Sequence, residues 1–182
     1  MAVPQELIYA MAALTFAGAA AVTDVRERRI PNKLVLTSIV TGVVLHGALG
    51  GFSGIGSALL AALIAGGIFM VFHLAGGMGA GDVKLMAGLG CLSATSDVKN
   101  LLITTMITGA VFALALAARR GALRRTAANL LVLAAHHQQN GMAAHPELNV
   151  SNQKMLRLPY AVPMAAACGF VLALHLLHGV RP

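Results

Sequence analysis

The chain has 182 residues, 58% of them hydrophobic and only 10% charged, with 13 Lys and Arg against 6 Asp and Glu. A soluble domain carries about 25% charged residues, so this composition excludes an ordinary soluble globule and indicates an integral membrane protein. The net charge of +7 does not indicate nucleic acid, because the basic residues stand in short clusters between apolar runs and form no stripe interleaved with aromatics.

In chain order, apolar runs cover Leu7–Thr23, Leu34–Gly50, Ile55–Ala75, Val83–Thr95, Leu101–Ala118 and Pro159–Gly179. Most approach the roughly 20 residues needed to cross a bilayer as helix. No strand-like alternation recurs, as a closed barrel would require. The expectation is an all-α, polytopic membrane bundle of about six transmembrane helices, forming one domain over residues 1–182. The segment before the first run lacks the basic n-region of a signal peptide, so that run is expected to be retained as a helix.

The fourth run, at about 13 residues, is short for a span, and the charges decide its reading. If all six runs cross with the N-terminus outside, the cytoplasm receives Arg26, Arg28, Arg29, Lys33, Lys84, Arg119, Arg120, Arg124, Arg125, Lys154 and Arg157. Only Lys99 and Arg181 stay outside, which is the positive-inside pattern. A fourth run that failed to cross would export the arginine cluster after Ala118. Six spans with both termini outside is therefore expected, the short helix being shielded by its neighbours or by local thinning of the bilayer.

The connection 119–158 is the largest polar region. Arg119–Ala135 reads as a basic amphipathic helix, with Leu123, Leu130, Leu131 and Leu133 among the arginines. It is expected to lie on the cytoplasmic leaflet against anionic headgroups. His136–Gly141 and Pro146–Asn152 read as flexible loop. His136, His137 and His145 fit no ligand spacing, so no metal is expected, and no other cofactor. Cys91 and Cys168 fall in apolar runs and read as buried small side chains, too few for a four-thiolate zinc site.

The chemistry is carried by Gly79-Ala80-Gly81-Asp82, which enters the fourth run through Val83-Lys84-Leu85. A carboxylate drawn toward the bilayer centre costs about 2.5–3.5 kcal/mol or more, so Asp82 needs a reason to be there. Of the other acids, Glu6 and Asp97 fall at the opposite membrane face, and Glu147 lies in the long loop. Asp24 ends the first span at the depth of Asp82, ahead of Arg28-Arg29-Ile30-Pro31-Asn32, where Pro31 redirects the chain. Two carboxylates held close share a proton, because like charge raises one pKa. The ionised member then activates a water and the protonated member serves as acid. A structural reading stands beside this one. Asp24 would pair with Arg26 or Arg28, Asp82 would N-cap the fourth helix, and Gly79 and Gly81 would be packing residues.

Gly77-Met78-Gly79-Ala80-Gly81-Asp82-Val83-Lys84-Leu85 resembles the GxGD signature of type IV prepilin peptidases. Asp24 through Ile30-Pro31-Asn32 is similar to that family's first aspartate motif, and Leu158-Pro159-Tyr160-Ala161-Val162-Pro163 to the segment opening its last helix. The resemblance implies an aspartic endopeptidase of the bacterial inner membrane that removes prepilin or pseudopilin leaders at the cytoplasmic face, with Asp24 and Asp82 as the catalytic pair. Gly79, Gly81, Pro31 and Asn32 would shape the site. Lys84 would either lower a nearby carboxylate pKa or anchor its helix at the headgroups. The longer, bifunctional members carry an additional N-terminal cytoplasmic region with CxxC pairs and also methylate the mature pilin. This sequence has no CxxC and begins almost at its first span, so the short, peptidase-only form found with Flp/Tad pili is expected. Two other readings stay open, a small transporter or proton-relay protein and a non-catalytic component of pilus assembly.

Overall fold

A computed structural model describes residues 4–149 and 158–179, and these form helices and turns with no strand. Lys154, Arg157 and Arg181, which entered the charge argument, lie outside the described residues, as do positions 150–152 of the expected loop. The helices are α1 (Gln5–Glu27), α2 (Asn32–Leu74), α3 (Ala80–Arg119), α4 (Leu123–Asn140) and α5 (Ala161–Gly179). α1, α2 and α3 are each long and apolar enough to cross a membrane, and α5 contributes a shorter apolar stretch, Ala161–Leu177.

The element count differs from the six apolar runs because α2 and α3 each take in two of them. A straight helix of 43 residues would be about 65 Å long, twice the hydrocarbon core of roughly 30 Å. α2 is not straight. Gly51 breaks it with φ 62 and ψ −152, a conformation open to glycine alone at little cost. The chain then reverses, so that Gly47 faces the Ile55 side chain. α3 breaks in the same way at Ala94, with φ 54 and ψ −174. Ala94 has a Cβ, and that conformation costs on the order of 1–3 kcal/mol. Ser57 holds the reversal by accepting the Thr95 N–H at 3.1 Å and sharing a 2.6 Å hydroxyl contact with Thr95. Carbonyls ahead of a helix break lose their helical donors. His46, buried and stacked on Tyr9, donates Nε2–H to the Leu92 carbonyl at 3.0 Å.

The short fourth run, now the first half of α3, is the centre of the bundle. Val83, Leu85, Met86, Leu89, Cys91 and Leu92 are all buried, sandwiched between the two halves of α2. Small residues permit the approach. A Cβ on Gly90 would stand 2.7 Å from that of Ala65, and one on Gly42 would stand 2.9 Å from the Cys91 backbone. Around this core the outer surface is apolar, with Leu36, Val44, Leu63, Ile107 and Leu177 more than half exposed. Such a surface suits lipid. Cys91 and Cys168 are buried and free.

α4 carries the basic amphipathic pattern but runs past its expected end. It takes in His136-His137-Gln138-Gln139-Asn140, read from sequence as loop, and stops at Gly141 with φ 64. The run of Ala, Leu and Gln before Gly141 holds no breaker, and His137 Nδ1 donates to the Gly141 carbonyl at 2.9 Å. No residue of α4 is buried.

Candidate active site

Asp24 stands in the last turn of α1. Its carbonyl accepts the Arg28 N–H at 2.9 Å, and Arg28 ends the helix in a left-handed conformation, φ 51. The Asp24 carboxylate is not tied to an arginine in the way the structural reading required. Its Oδ2 accepts the Ala161 N–H at 3.2 Å, one of the first-turn donors of α5 that have no helical partner. Arg28 acts on Asp24 only through its field.

Asp82 is the third residue of α3 and not its N-cap, a place held by Gly79. Its Oδ2 accepts the Gly79 N–H at 3.1 Å, which is half of a capping box. The turn that delivers it is built on Gly76, φ 78, and braced by His73, whose Nδ1–H donates to the Met78 carbonyl at 2.9 Å. His73 also lies within electrostatic reach of Asp82.

Both carboxylates face one cavity of about 560 Å³, within the size range of small-molecule sites, and Asp24 acts electrostatically on Asp82 across it. The second half of α3 supplies Ala113, Leu116 and Arg120 to the same wall, and the start of α5 supplies Tyr160. Tyr160 seats its ring edge-on to Phe69 and its hydroxyl beside Gly109. Gly79 lines the cavity, while Gly81, Lys84, Pro31 and Asn32 do not. Three of these four instead join the two aspartate segments. A Cβ on Gly81 would touch Ile30 at 3.6 Å, and Lys84 Nζ donates to Asn32 Oδ1 at 3.2 Å. The Lys84 ammonium is thereby directed to Asn32 at an exposed edge. Arg28 was named from sequence as a partner of Asp24 and Met78 stood in the quoted motif, whereas His73, Arg120 and Tyr160 were not named as neighbours of the aspartates. Tyr160 carried a signal as part of the Leu158–Pro163 segment.

A family model described as the type IV leader peptidase family matches residues 11–114, a range that contains both aspartates. A prepilin leader peptidase/N-methyltransferase of Aeromonas salmonicida (strain A449) is 27% identical over 152 residues, covering 80% of this chain and 45% of the relative. A protein of the same name from Aeromonas salmonicida matches to the same extent. The chain thus spans less than half the length of these curated relatives. No solved structure matches it.

Proposed function

The chain belongs to the type IV leader peptidase family, and we propose that it is a membrane aspartic endopeptidase removing the leader of type IV prepilins of the Flp type. The observation that carries this reading is the opening of Asp24 and Asp82, 58 positions apart in sequence, onto one cavity. One carboxylate is ionised and takes a proton from a water, which attacks the scissile carbonyl. The other is protonated and gives its proton to the carbonyl oxygen. Collapse of the tetrahedral intermediate returns a proton to the leaving amine and restores the shared-proton state. Which aspartate is base and which is acid belongs to the pair, not to either residue.

The reading extends to topology. The reversals at Gly51 and Ala94 support six crossings, which we place in the bacterial inner membrane. The dyad end is taken as cytoplasmic because Arg26, Arg28, Arg29, Lys33, Lys84, Arg119 and Arg120 gather there. Contacts at the opposite end, Gln5 to Leu49 and His175 to Asp97, support both described chain ends facing outward. On this model residues 1–182 act as one membrane-embedded unit.

The test is processing of a short prepilin in membranes. Asp24→Asn and Asp82→Asn should each abolish cleavage while the protein still inserts, and chelators should leave wild-type cleavage intact. Near wild-type cleavage by either variant would overturn the dyad. A reporter fused after Arg125 should give a cytoplasmic signal.

A further inference from the structure

A second cavity of about 380 Å³ opens between the end of α3 and α4. Leu116, Leu130, Leu133 and Leu158 form its apolar wall, and Arg120 and Arg125 bring two guanidinium groups to it. No acidic residue lines it, and residues 119–146 hold none at all. The two positive charges therefore have no carboxylate of their own segment to neutralise them. α4 buries no residue, and Leu123, Leu130, Leu131 and Val132 stay exposed along it. α3 is long and apolar enough to span the membrane and ends at Arg119, which sets the cleft at the level where acyl chain meets headgroup. Paired guanidinium groups match a phosphodiester, and the leucine wall matches the chain attached to it.

We propose that this cleft binds one anionic phospholipid, with its phosphate on Arg120 and Arg125 and an acyl chain along Leu116, Leu130 and Leu133. Retention here differs from the diffuse attraction of any basic helix to an anionic leaflet, because it depends on which arginines face the cleft. The cleft shares Ala113, Leu116, Arg120 and Leu158 with the aspartate cavity, so the bound lipid forms part of the boundary between them. The site is independent of whether the aspartates cleave.

The experiment is native mass spectrometry of the full chain taken from vesicles of phosphatidylcholine with one-fifth phosphatidylglycerol, by mole, an amount chosen as roughly that of a leaflet with moderate negative charge. Wild type should retain one phosphatidylglycerol in preference to phosphatidylcholine. Arg120→Gln and Arg125→Gln should each lower that retention roughly 10-fold. Arg119→Gln and Arg124→Gln, which remove equal charge from residues outside the cleft, should change it less than about 2-fold. Leu133→Trp fills the cleft with every charge kept, and it should expel the lipid even if an arginine variant folds poorly. Equal losses from all four arginine variants would overturn the proposal in favour of bulk attraction. Displacement of the lipid by millimolar inorganic phosphate would overturn it in favour of a free-anion site, and displacement by a peptide substrate in favour of a peptide groove.

Discussion

The two ends of the bundle each hold buried or half-buried aspartate, and the partners differ. At one end Asp97 is 8% exposed. His175 Nε2 meets its Oδ2 at 2.8 Å and Asn100 donates to its Oδ1 at 3.4 Å. Asp97 is thus held by side chains on both of its oxygens. At the other end Asp24 and Asp82 each take a backbone N–H and line one cavity, with Asp24 acting on Asp82 only through its field. On the proposed function, a pair of carboxylates bonded only to amides would keep a proton to exchange. On that proposal the partner, more than the depth, would separate an acid used for packing from one used for chemistry.

That contrast is sharpest when the same change is made at both ends. Asp24→Asn or Asp82→Asn should lower prepilin cleavage by about 10²–10⁴-fold or to background and shift thermal stability in detergent little. Asp97→Asn should do the reverse. It keeps cleavage within a few-fold and lowers stability by about 1–3 kcal/mol, less than a fully buried pair because His175 is partly exposed. If Asp97→Asn also abolished cleavage in a folded protein, the division between the ends would fail. Ala94→Gly, beside Asp97, should raise stability by roughly 1 kcal/mol through relief of the positive φ, read as a higher melting temperature with unchanged cleavage. Lys84→Gln gives the smallest change, within about 3-fold of wild-type cleavage, since the ammonium meets Asn32 at an exposed edge. A loss as large as that of Asp82→Asn would return Lys84 to the chemistry.

Much of this was legible in the chain. The apolar runs became helical segments, because unsatisfied backbone polar groups are costly in lipid and helix satisfies them locally. The end of the fourth run at Thr95 put a break beside Ala94, but a positive φ at Ala94 was not legible, since alanine ordinarily extends a helix. The tertiary contact with Ser57 overrides that propensity. The end of α4 was misjudged because His and Gln were read as loop where no glycine or proline interrupts them. Asp24 and Asp82 could be named from their motifs. Arg120 and Tyr160 reach the cavity from segments far along the chain, and neither the arginine cluster nor the Leu158–Pro163 segment told which of its residues would face the aspartates.

The tethering of the two aspartates has a mechanical consequence. Asp82 rises from the sheathed half of α3, the part of the molecule whose amides should exchange slowest with solvent. Asp24 is fastened through Ala161 to α5. Since Asp24 itself belongs to α1, a shift of the joined α1 and α5 against α3 would change the gap between the carboxylates.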